Sequence, residues 1–179
     1  MGLLAAVAEM AFAGHVGVAL NVDMLVTEGD GISDSRMETG DAKNWAQQVS
    51  ARREELTLKA LFNEELGVVL QVRTAERNEV MQTLREHGLS KFSHFIGKTR
   101  PASSSINAGK GELQVWRDAK AVFSAPLADL HQVWDAVSWK ICQQRDNPAN
   151  ADAEHAASGE PTDPGMHVHL TFDAADNVA

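Results

Sequence analysis

No lysine or arginine follows Arg145, and that boundary constrains the chain more than any other feature of its sequence. All 16 basic residues and 18 of the 25 acidic ones precede residue 146, for a net of −2 (16 − 18). The last 34 residues carry seven acidic side chains, no basic one and three of the five prolines, for a net of −7. An acidic stretch rich in Ala, Pro and Asp buries too little apolar surface to offset chain entropy. Residues 1–147 are therefore read as the packed domain and 148–179 as an acidic linker or tail.

The first part has the composition of a globular domain. The 179 residues are 44% hydrophobic and 23% charged, enough for a core. A net charge of −9 argues against nucleic acid or an anionic membrane as partner. No apolar run approaches the ~20 residues that span a bilayer. The apolar residues 2–12 include Glu9 and lack a basic leader, so they do not read as a signal peptide. Cytoplasmic location is the expectation. The single cysteine, Cys142, excludes an internal disulfide and a multi-cysteine zinc site.

Periodicity predicts short strands alternating with helices. Leu3, Leu4, Val7, Met10 and Ala11 recur at helical spacing, with Gly14 placed as a stop. Val16, Val18, Leu20 and Val22 alternate as a strand. An acidic loop spans 27–41, and a helix over 42–61 offers Trp45, Val49, Leu56 and Leu61 to the core. A turn over 63–67 leads to a strand at 68–72. A helix capped by Thr74 follows over 75–87, with Gly88 as its stop, and then a strand at 93–97. After the polar segment 101–110 comes a hairpin with arms at 112–116 and 120–123. A helix over 127–145 carries Leu130, Val133, Trp134, Val137 and Ile141 on one stripe, stopped by Asp146-Asn147-Pro148. The class is α/β or α+β.

Few residue patterns carry chemistry. His167 and His169 lie two apart, but a metal needs further ligands at a recognised spacing, and a solvated strand is the favoured reading. His15, His87, His94, His131 and His155 stand alone. The acidic residues 30–41 do not follow the calcium-loop pattern and read as a solvated insertion. Gly109-Lys110-Gly111 lacks the phosphate-loop spacing, and Cys142 lies within a helix without a base nearby in sequence. Asn63-Glu64-Glu65 is the most suggestive cluster, since two carboxylates and an amide at a helix-to-strand junction can receive amine or hydroxyl groups. The competing reading is a turn with Asn63 capping and Gly67 at positive φ.

Several motifs, in order along the chain, resemble the large single-chain phosphoribosylformylglycinamidine synthases. They are Gly2-Leu3-Leu4-Ala5-Ala6 with Glu9-Met10-Ala11-Phe12-Ala13-Gly14-His15, then Leu61-Phe62-Asn63-Glu64-Glu65-Leu66-Gly67-Val68-Val69-Leu70-Gln71-Val72. Gln144-Arg145-Asp146-Asn147-Pro148 and Asp163-Pro164-Gly165 with Leu170-Thr171-Phe172-Asp173 complete the set. The resemblance implies the second C-terminal half-domain of aminoimidazole-ribotide-synthetase type, a mixed sheet with helices packed on it, with an acidic insertion at about 26–53. The linker would lead to a glutaminase domain beyond residue 179.

The family converts formylglycinamide ribonucleotide, ATP and glutamine to formylglycinamidine ribonucleotide, ADP, phosphate and glutamate, using ATP and magnesium. Of its nucleotide-binding Asp-x-Ser-Asp-Gly-Gly stretch only Gly2 is present, so Gly2 is the nucleotide-adjacent residue. Asn63, Glu64 and Glu65 are the substrate-side candidates. They stand where the family's first half has Asn-Glu-Ser-Gln, with Glu65-Leu66 replacing Ser-Gln. The resemblance carries over no catalytic residue and no metal ligand, and this chain alone is expected to be inactive and to bind no cofactor. Its expected partners are the remaining synthetase half-domains and the glutaminase domain, with a ribonucleotide as the parent's substrate. The alternative is a stand-alone nucleotide- or partner-binding module docking on a synthetase subunit. A start at Gly2 also implies that covering strands are missing, which would leave the strand at 16–22 with an open edge prone to dimerisation or aggregation.

Overall fold

The computed structural model describes residues 2–27, 42–100, 111–160 and 171, and the side chains of 27 and 42–49 fall outside that description. Outside it too lie the acidic loop, Trp45, Val49, the segment 101–110, the pair His167 and His169, and the motif from Asp163 onward apart from Thr171. By internal contacts the chain divides into two compact units, Met1–Leu130 and His131–Ala179. Among the described residues no helix is long and apolar enough to cross a membrane.

The first unit is built on a four-stranded mixed sheet ordered β2-β1-β3-β4. Helix α1 (Leu3–Gly14) leads into β1 (Gly17–Asn21), and the short α2 (Asp23–Thr27) follows directly. Helix α3 (Ala42–Phe62) is separated from α4 (Arg77–Glu86) by a segment outside helix and strand and by a 3-10 turn at Thr74–Glu76. Strand β2 (Gly97–Arg100) and the hairpin of β3 (Glu112–Arg117) and β4 (Lys120–Pro126) complete the sheet. The class is thus mixed α/β, within the two classes that periodicity left open.

Strand β1 is interior. It pairs antiparallel with β2 (Val18 opposite Thr99) and parallel with β3 (Leu20 opposite Val115). The expected open edge at 16–22 is therefore absent, because strands that follow β1 in the chain occupy both its sides. Period-two alternation turns Leu20 into the core beneath Val22, where they join Val7 of α1, Val26 of α2, Leu61 of α3, and Leu113 and Val115 of β3. Val22, Val26, Leu113 and Val115 are essentially sealed from water, and each contributes roughly 1.5–3 kcal/mol. Helix α1 also supplies Ala11 and Phe12 to a second cluster with Leu127. It ends at Gly14, but the left-handed residue that closes it is His15 (φ 48°), whose N–H reaches back to Ala11 and Phe12 carbonyls.

Four local expectations change. Residues 68–72 form no strand, and β2 begins at Gly97 where a strand at 93–97 was expected. Thr74 opens a 3-10 turn without a side-chain cap, α4 proper begins at Arg77, and Gly88 (φ 73°) ends it as expected. The hairpin tip is two residues long, since Arg117 pairs with Lys120 and leaves Asp118 (φ 52°) and Ala119 (φ 59°) in the left-handed region.

The second unit comprises most of α5 (Leu127–Arg145), which begins in the first unit, and α6 (Pro148–Ser158). Residues 148–158 are thus helical rather than linker-like. The signals read as a stop are also a start: Asn147 Oδ1 accepts from the N–H groups of Ala149 (2.9 Å) and Asn150 (3.4 Å), and Pro148 occupies the first turn. Of the predicted apolar stripe of α5, Leu130 packs against the core clusters. Val133, Trp134, Val137 and Ile141 are all exposed, because α6 packs against the side bearing Asp135, Trp139 and Gln143.

Candidate functional site

Two of the sequence-predicted pieces meet at one end of α1. Gly2 caps that helix with an extended backbone (φ −73°, ψ 163°), and its carbonyl accepts the first helical bond, from Ala6 (3.1 Å). A side chain at position 2 would place its Cβ 2.9 Å from the Leu61 carbonyl oxygen and 3.0 Å from Phe62 Cα. Glycine is needed here because two backbones touch. The contact holds the start of α1 against the last residues of α3, and Asn63, Glu64 and Glu65 leave α3 directly beyond it.

Each group in this corner has a distinct role. The first N–H groups of a helix lack intrahelical acceptors and carry the positive end of its dipole, which suits an anion. Glu64 and Glu65 are exposed carboxylates suited to amine or hydroxyl donors. The Asn63 amide donates to Glu65 Oε1 (2.5 Å) and its backbone N–H to the Lys59 carbonyl (2.8 Å), which fixes the turn. Gly67 is not at positive φ, so the glycine-turn reading of 63–67 fails on that point. The corner is polar and exposed, and it can position a ligand, but among the described residues it contains no nucleophile paired with a base.

A fit to magnesium can be judged from the donor set. Among the described residues no three His, Cys, Asp or Glu side chains gather to hold a metal ion, so no chemical step is assigned to one. Gly2 offers only backbone.

Residues 1–106 match the family described as AIR synthase related protein, C-terminal domain. The chain belongs to that family. The match includes α1, the sheet strands β1 and β2, and the whole Gly2 and Asn63–Glu65 corner, while β3, β4, α5 and α6 lie beyond it.

Two polar clusters escaped the sequence reading. At the tip of the β3–β4 hairpin, Arg53 of α3 grips Asp118 through two bonds, Nε to Oδ2 (3.2 Å) and Nη2 to Oδ1 (2.6 Å). Asp23 accepts the Asp118 N–H (2.8 Å), and Arg117 donates to the buried Thr57 hydroxyl (3.0 Å). These contacts hold a turn whose two left-handed non-glycine residues are intrinsically costly. In the second unit, His155 stacks on Trp139 (centroids 4.1 Å apart, 3° between planes) and its Nδ1 meets Asp135 Oδ2 at 2.8 Å. Asp152 accepts from Trp139 Nε1 (2.9 Å) and from Gln143, and those hydrogen bonds hold its carboxyl below the usual aspartate range. The Lys140 ammonium lies 3.5 Å from the Trp139 ring centroid. The signal for this cluster is Asn147-Pro148, which reads as a helix stop although it also starts α6.

Proposed function

We propose that this chain serves as a C-terminal half-domain of phosphoribosylformylglycinamidine synthase, acting in the cytoplasm as a scaffold that presents a ligand-facing corner rather than as a complete ligase. The observation that carries this is the contact of Gly2 with Leu61 and Phe62, which joins the start of α1 to the Asn63–Glu65 turn. Membership of the AIR synthase related family supports it, as do the synthase-like motifs at both ends of that contact. In the complete enzyme, the helix end would face the anionic part of a ribonucleotide and Glu64 and Glu65 its hydroxyl or amine groups. ATP and magnesium would be held by other half-domains, and ammonia would come from the glutaminase domain.

The reading has two measurable consequences. With ATP, formylglycinamide ribonucleotide and ammonium, the chain alone should release no ADP, and turnover would refute the scaffold role. In calorimetry, weak binding of the ribonucleotide should weaken further in Glu64→Gln/Glu65→Gln, and unchanged binding would remove these two carboxylates from the site.

A second reading, a stand-alone module that docks on a synthetase subunit, is favoured by the exposed Val133, Trp134, Val137 and Ile141 stripe of α5. An immunoblot of source cells separates the two. A band far above 19.4 kDa supports the half-domain, and a band near 19.4 kDa supports the module.

A further inference from the structure

The segment between α3 and the 3-10 turn has the composition of a strand but forms none. Residues 66–72 read Leu-Gly-Val-Val-Leu-Gln-Val, rich in the branched side chains that favour sheets. Among the described residues, no backbone group of residues 65–72 hydrogen-bonds to another backbone group. Val69 packs against the buried cluster around Leu20 and Val115. Its neighbours Val68 (83% exposed) and Leu70 (61%) face solvent, as does Leu66 (105%). An out-in-out pattern at 68, 69 and 70 matches the period of a strand with one covered face. Such a segment is a template for another strand.

We infer that residues 66–72 pair antiparallel with the same residues of a second copy of this chain, joining two domains edge to edge. Charge selects the occupant. Glu65 precedes the segment and Arg73 follows it, so antiparallel self-pairing sets opposite charges against each other, whereas a parallel copy in register would oppose like charges. Placing Val69 on the two-fold axis sets Val68 opposite Leu70 and Leu66 opposite Val72 on one face, and Glu65 opposite Arg73 on the other. Every pair occurs twice. Both charged residues are exposed, and Arg73 makes only a loose 3.5 Å contact with Glu76, which leaves it able to swing across. The pairing would satisfy the strand's backbone groups and shield apolar side chains that the monomer leaves in water.

Sedimentation velocity of the full chain over a wide concentration range tests this. A reversible monomer–dimer equilibrium is expected. Val68→Lys/Leu70→Lys should abolish the dimer, since it sets lysines opposite one another; both positions are exposed, so the monomer's circular dichroism should not change. Glu65→Arg should weaken the dimer about fivefold, and adding Arg73→Glu should restore it, because the swapped pair is again complementary. A chain that stays monomeric at every concentration overturns the inference. So does a dimer indifferent to both sets of variants, which would assign the association to another surface and this segment to a different partner.

Discussion

In the sheet domain Val22, Val26 and Val115 are fully buried, whereas among described residues 131–160 of the α5–α6 hairpin only Ala151 is buried. The sheet domain coheres through apolar area removed from water, drawn from three helices and two strands. The helical hairpin coheres through stacking, one histidine–aspartate contact and hydrogen bonds to Asp152. Apolar burial is largely insensitive to pH and salt, while polar contacts near the surface depend on both. The two units should therefore fail under different conditions.

The largest expected effect lies in the sheet. Leu113→Ala, at a position 1% exposed, should cost about 3 kcal/mol in urea unfolding, against about 0.5 kcal/mol or less for Val137→Ala in the exposed stripe. Equal losses would mean that the stripe of α5 is packed in solution. Next comes Gly97→Ala. Its Cβ would lie 2.7 Å from the Ala19 carbonyl oxygen, so β1 and β2 must part, with an expected cost of about 1–3 kcal/mol and a lower melting temperature. Smaller and opposite in sign is Ala119→Gly. Relieving a left-handed alanine (φ 59°) should stabilise the domain by up to about 1 kcal/mol, and a loss would show that Ala119 makes contacts outweighing its strain.

The smallest effect is the pH response of the helical hairpin. The Asp152 carboxyl titrates below its ordinary value, chiefly through the Trp139 hydrogen bond and then that of Gln143. A depressed folded-state value contributes stability above the ordinary aspartate range, and that contribution is lost as pH falls through the folded value. Acidification below about pH 4 should loosen the hairpin. Trp139→Phe, which removes the first hydrogen bond, should flatten this acid response relative to the sheet domain. An unchanged profile, followed by helical circular dichroism between pH 6 and 2, would remove Asp152 as its source.

How much was legible follows from what each segment leans on. Helices α1 and α3 and strands β1 and β3 bury one face of a regular element, and a buried face writes its period into the chain. Residues 68–72 carry the same strand composition but have no backbone hydrogen-bond partner among the described residues, so composition alone overstated their order. Helix α6 was missed for the converse reason: it buries almost nothing and is held by Asn147 and Trp139, which leave no hydrophobic period. Of the site, Asn63, Glu64 and Glu65 were visible as a cluster, and their nearness to Gly2 was not.

The sequence by itself determined the alternation of helix and strand, the mixed α/β class and the charge boundary at Arg145, because propensity, periodicity and composition act over a few residues. Tertiary structure alone decided that β1 lies inside the sheet, that Gly2 abuts the end of α3, and that Arg53 holds a turn 65 residues further along the chain. Those outcomes depend on which distant backbones can approach within about 3 Å, and that is a property of the packed chain as a whole.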